Sequence, residues 1–226
     1  MKKFGLVIIF LLFSQVAFAA PNTGFYVGIS GGYVIPQTMS FSDPDDGYEY
    51  FDATLENGYN LAIRTGWLTP FTRNIMAMEI EYNYMNNNFD NNKIIPSPDN
   101  PGFLATLDGN MSIHAVLFNL KARFPQGPIH PYAGFGLGYA YASVGDITEK
   151  QFGGSGVVIW PSESGGGFCW QFLAGVDFDI TPNLSLGIGY KYFSAYPTVG
   201  EKTYYHYYAD LDYRASIITA GLTFTF

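Results

Sequence analysis

Eight charged side chains are the residues of this chain best placed to do chemistry: Arg64, Glu79, Glu81, Lys121, Arg123, Asp177, Asp179 and Lys191. Every one has an apolar or aromatic neighbour on at least one side, so in an extended chain it alternates with a greasy register. Four acids stand against four bases. A confined charge without a partner is costly, so the set is expected to pair internally. Catalysis would need a nucleophile within reach of a base. His114 lies in SIHAVL, His130 in a short polar connection and His206 in the run YYHYY, and no spacing joins any of them to such a partner. The single Cys169 cannot form an internal disulfide and reads as a small filler. Asp43-Pro44-Asp45-Asp46-Gly47 hints at calcium, but Thr54 stands where a bidentate glutamate is needed, so a solvated acidic loop is expected. Catalytic residues, metal ligands and cofactors are all expected to be none.

The elements that must hold these charges are strands. Residues 168–193 carry two runs around the breaker Thr181-Pro182-Asn183. Trp170, Phe172, Ala174, Val176, Phe178 and Ile180 share one face, and Gln171, Gly175, Asp177 and Asp179 the other. Beyond the turn Leu184, Leu186, Ile188, Tyr190 and Tyr192 oppose Ser185, Gly187, Gly189 and Lys191. Period two around a short turn predicts a hairpin. Runs of this length, apolar on one face and polar or small on the other, match strands that cross a bilayer with the apolar face toward lipid.

The same alternation recurs at 24–34, 58–68, 74–85, 110–124, 129–143 and 213–226. Short turns at 69–73, 125–128 and 181–183 alternate with long loops, as they do in transmembrane barrels. No proline falls inside an expected strand; Pro131 comes closest. An unpaired edge is too costly in lipid, so strand one is expected to close against strand eight. The predicted fold is all-β, an eight-stranded antiparallel up-and-down transmembrane barrel.

Charge placement excludes a soluble carrier with an apolar interior and a charged exterior. Fifteen of the 19 acidic residues fall in the long loops, against Lys93, Lys150, Lys202 and Arg214; the other four are Glu79, Glu81, Asp177 and Asp179, all on the inward register. A lipid-facing charge near the midplane costs about 2–4 kcal/mol. Tyrosine and tryptophan near strand ends, among them Tyr33, Trp67, Tyr82, Tyr84, Tyr139 and Tyr141, suit interfacial girdles. An acidic face disfavours nucleic acid and suits cationic or aromatic-tolerant partners. Inward Gly134, Gly136, Gly138, Gly187 and Gly189 are expected to leave room for a wet pocket opening outward beside the charges.

Residues 1–19 combine Lys2 and Lys3, an apolar run and Ala17-Phe18-Ala19, the pattern of a cleaved signal peptide. Residues 20–226 are then one domain. Aromatics at 18% and charged residues at only 13% are unusual for a soluble domain, which carries about 25% charged.

Gly24-Phe25-Tyr26-Val27-Gly28, Pro131-Tyr132-Ala133-Gly134-Phe135-Gly136, the stretch 175–192 and the terminal Phe226 together make the chain resemble the small outer-membrane β-barrel proteins of Gram-negative bacteria, the group of the OmpA membrane domain, OmpX and the opacity proteins. The resemblance implies an integral outer-membrane location in contact with lipid and lipopolysaccharide. It implies that Leu222, Phe224 and Phe226 form the signal read by the barrel assembly machinery, and that the loops meet a host or surface ligand. Nothing follows Phe226, so the peptidoglycan-binding domain of full-length OmpA is expected to be absent. The expected role is surface interaction, adhesion or envelope integrity, with a narrow small-solute channel as alternative. A lipid-modifying enzyme is remote, because His114 lacks the His-x-Ser arrangement of a deacylase site.

Overall fold

The computed structural model describes residues 24–43, 45, 49–91, 95–96, 104–151, 157–200 and 208–226. The signal segment 1–19, His206, and Asp46 and Gly47 of the acidic loop lie outside the described residues. Eight strands form the ring: β1 (Phe25–Pro36), β2 (Gly58–Leu68), β3 (Met76–Asn88), β4 (Asn110–Arg123), β5 (Ile129–Val144), β6 (Glu163–Thr181), β7 (Leu184–Gly200) and β8 (Tyr208–Thr225). Each pairs antiparallel with the next, and β1 closes on β8 from Tyr26 opposite Thr225 to Pro36 opposite Ala215. Closure leaves the ring no open edge, which a bilayer requires.

Outward positions are large and apolar, with Ile29, Ile63, Phe118 and Tyr139 about half exposed to the surroundings. The short turns are tight. After the 3-10 turn Pro70–Thr72, Arg73 and Asn74 adopt φ of 57° and 62°, and the Thr72 hydroxyl accepts from Met76 N at 3.0 Å. Asn183 Nδ2 donates to Thr225 O at 2.8 Å and ties the last short turn to the chain end.

The loop-side ends depart from expectation. Strand β6 begins at Glu163, β7 runs on to Gly200 and β8 begins at Tyr208, each several residues beyond the predicted limit. Above the bilayer band the pattern inverts. In β7 Ala195, Pro197 and Val199 are buried inside, and in β8 Ala209, Leu211 and Tyr213 are, while Asp210 and Asp212 take the outward register. Clear of lipid, the outer face no longer has to be apolar. Pro197 therefore does lie inside a strand; it faces Gly167 of β6, and the β8 ladder skips Tyr196 and Pro197, so no donor is missed.

The loops are not plain polar tracts either. Met39–Ser42 continues the seam by pairing with β8, and Glu49–Ala53 pairs with it in turn. Val157–Trp160, Ile147–Gln151, Leu104–Asp108 and Ile95–Pro96 form a separate four-stranded sheet.

Candidate functional site

The interior is filled in two storeys. Glu79, buried on β3, accepts from Tyr26 Oη (2.9 Å), Asn119 Nδ2 (2.9 Å) and Lys121 Nζ (2.6 Å), with Arg64 Nε at 3.8 Å. Two residues on, Glu81 accepts from Lys191 Nζ at 2.6 Å, from Gln171 Nε2 at 3.2 Å and from the Asn83 amide. Gln171 also donates to Asn119 Oδ1 (2.8 Å), Asn60 to Asn83 Oδ1 (3.1 Å) and Arg64 Nη2 to Thr223 Oγ1 (2.8 Å). The Lys121 ammonium lies 5.3 Å from the rings of Tyr26 and Tyr132. Every strand of the ring thus contributes a side chain to one polar layer. The charge-assisted bonds are its strongest members, and in a dry interior they gain further because water does not compete for them.

The other predicted charges sit nearer the short-turn rim and arrange differently. Asp179 receives His130 Nε2 (2.8 Å) and the Ser185 hydroxyl (2.7 Å), while His130 Nδ1 bonds Phe124 O at 2.8 Å. His130 is therefore a buried part of the inner wall, not a turn residue. Among the described residues Arg123 Nε and Asp177 Oδ1 are buried without a hydrogen-bond partner, so the four-on-four arrangement does not form there. Two acids hold three bases, and Asp179 takes a histidine.

Above the polar layer the lumen is apolar. Met85, Met111, Ile113, Leu117, Phe193, Tyr213 and Ile217 from the wall meet Met39, Phe41, Leu55, Phe89, Leu107, Ile147 and Ile159 from the loops in one buried cluster. The expected wet pocket opening outward is filled by this cluster. The glycines do not leave a passage: a Cβ at Gly136 would lie 2.0 Å from Asn119 Oδ1, and one at Gly138 would lie 2.0 Å from Val116 O. Cys169 is a fully buried member of the same cluster.

Sequence reasoning missed Tyr26, Asn60, Asn83, Asn119, Gln171, Tyr132 and His130 as partners. All of them share the inward parity of the charges, His130 included, since it stands opposite Asp177 on the register of Gly134, and that was the available signal. The rim trio is not a catalytic triad, because the Ser185 hydroxyl meets the carboxylate and not the imidazole. His114 Nδ1 bonds Tyr82 Oη on the outer wall at 2.7 Å, far from any nucleophile of the interior. Asp43 Oδ1 accepts from Asp45 N at 2.8 Å, an ordinary turn contact. Among the described residues no three His, Cys, Asp or Glu side chains converge as a cation site.

Solved structures share this fold. Neisserial surface protein A is similar over 90% of this chain and 97% of its own, at 20% identity and a TM-score of 0.53. The outer membrane protein OprG from Pseudomonas aeruginosa is similar over 90% and 96%, at 12% identity and a TM-score of 0.56. An uncharacterized protein of Brucella suis biovar 1 is 25% identical over 162 residues, 66% of this chain and 55% of the relative, so the chain spans about half the length of the curated relatives it matches. Residues 5–226 match the outer membrane protein beta-barrel domain, and this chain belongs to that family of Gram-negative envelope proteins.

Proposed function

We propose that the barrel is an anchor that displays a β-structured acidic face for contacts outside the cell, and that it neither conducts solutes nor catalyses a reaction. The observation that carries this reading is the doubly filled lumen: a polar layer tied to all eight strands, and above it an apolar cluster closed by Phe41 and Phe89 from the loops. Eight strands enclose an interior just wide enough for side chains, and here side chains occupy it. Among the described residues the lengthened β6, β7 and β8 and the loop strands give the outward end β-structure. Acids at this end, among them Asp108, Asp146, Glu163, Asp210 and Asp212, suit a partner that presents cationic or aromatic groups. The assembly machinery is the partner proposed at the other end, through Leu222, Phe224 and Phe226.

Two measurements, one on the refolded protein and one on cells, test this. Planar-bilayer recording of the refolded protein is expected to give no stable conductance step, and cells carrying the barrel are expected to bind polylysine-coated beads more than cells lacking it. A lasting conductance with no difference in bead binding would replace this reading with the narrow channel.

A further inference from the structure

One stretch of the lipid-facing wall is recessed. Across the seam the outward row Ala220–Gly31–Leu61–Tyr84–His114 runs between Ile218–Tyr33–Tyr59 on the loop side and Leu222–Ile29–Ile63–Tyr82 on the other. Its two smallest residues, Ala220 and Gly31, meet where β8 closes on β1, with bulky side chains above and below. The wall sinks there into an open trough of about 680 Å³ lined by Ile29, Gly31, Leu61, Ile63, Tyr82 and Leu222. A depression of about 210 Å³ between Val27, Leu184 and Phe224 shares Ile29, Ile63 and Leu222 and continues it toward the short-turn end.

Packing does not explain the glycine. At Gly32 and Gly221 an added Cβ would meet backbone oxygens at 2.9 and 2.4 Å, so those positions exclude a side chain. At Gly31 the nearest atom would be Asn60 O at 3.9 Å, and the backbone φ is not left-handed. Glycine weakens a strand, so leaving this position bare costs the sheet something and keeps a hollow open.

A polar pair flanks the trough through its lining residues Tyr82 and Tyr84. Tyr82 Oη is bonded to His114 Nδ1, and the His114 ring lies 5.0 Å from that of Tyr84. His114 is exposed, and among the described residues its Nε2 has no hydrogen-bond partner. On β3 and β4 the next outward residues on the loop side are Asn86, Asn88 and Ser112, so on these two strands the pair marks the height at which the apolar band ends.

An unfilled hollow facing a bilayer forfeits contacts along its whole lining, and hydrocarbon tails are what the membrane supplies at that depth. A hydrocarbon trough flanked by a hydrogen-bonding pair at headgroup height has the polarity of an amphiphile. A second copy of the barrel would bring a broad wall and would leave His114 Nε2 unused. We propose that the trough holds one acyl chain of an outer-leaflet lipid, with the phosphate of its headgroup bonded by His114 Nε2.

The test is native mass spectrometry of the refolded protein in maltoside micelles titrated with palmitoyl-oleoyl phosphatidylglycerol and, separately, with the matching diacylglycerol. Wild type is expected to retain one lipid. Gly31→Leu should weaken retention of both lipids about tenfold by filling the hollow, and Ala220→Leu, which fills it from the neighbouring strand, should do the same. His114→Ala should weaken phosphatidylglycerol about fivefold and leave diacylglycerol alone, as expected for one lost hydrogen bond. Leu137→Trp, on another part of the wall, should change neither, and heat-modifiable gel mobility reports which variants fold. Equal retention by wild type and both filled variants overturns the proposal, as does a wild-type dimer that those variants dissolve, which would give the trough to a second copy.

Discussion

Glu79 is the acceptor for Tyr26, Asn119 and Lys121 and the nearest acid to Arg64, so its loss strands two cations inside the wall. Glu79→Ala is expected to lower unfolding stability by about 3–5 kcal/mol, the usual cost of breaking a buried pair. Asp179 is a useful contrast, because its side chain is 34% exposed at the rim, and Asp179→Asn should cost only about 1 kcal/mol. Urea titration in lipid vesicles compares the two, and equal losses would mean that the polar layer is no drier than the rim. Which residues face inward was legible from parity alone. Which of them pair was not: Glu81 and Lys191 are separated by 110 positions on strands that are not neighbours, and only the stagger around the ring brings them together. Arg123 and Asp177 show the other side of this, since correct parity placed them inside without giving them each other.

The strands were legible wherever the outer face meets lipid, because there the contrast between registers is enforced by the solvent. Strand β2 begins and ends where the alternation places it. The loop-side ends of β6, β7 and β8 were missed because the contrast changes sign there: Val199 and Leu211 turn inward while Asp210 and Asp212 turn out, as in a barrel surrounded by water. This inversion sets an orientation that proteolysis can read. Protease added to intact cells is expected to cut within residues 201–207 and to spare the turn around Pro70–Thr72, whose backbone is held by Thr69 and Thr72. First cleavage at the turn would reverse the orientation. Phe226 belongs to the opposite end, where its ring meets that of Phe224 edge to face at 5.1 Å and its amide donates to Phe25 O. Deleting it should reduce the amount reaching the outer membrane severalfold, while the protein that does insert unfolds at nearly the same urea concentration. Unchanged surface levels would remove the C-terminus from the assembly signal.

At the scale of the molecule, the two storeys act as seals in series. The apolar cluster stays in place when a charge below it is removed, so Glu79→Ala and Arg123→Ala are expected to give no more conductance than wild type. Phe41→Ala combined with Phe89→Ala thins the upper seal alone and should still be silent, because the polar layer remains; joined to Glu79→Ala, it should produce a measurable current. A current from any single change would mean that one layer carries the whole barrier. The seam between β1 and β8 has a consequence of a different kind. Extended by Met39–Ser42, it runs from Tyr26 opposite Thr225 up to Ser42 opposite Asp210, and it is the one ladder of the ring that joins the two ends of the chain. Its contacts are the most distant in sequence, so the loop that must close before they form is the longest, and closing it is the slow step of a search through time. During refolding into vesicles, amide protons of β1 and β8 that face each other should become protected from exchange last, after the hairpin of β6 and β7 has long been formed.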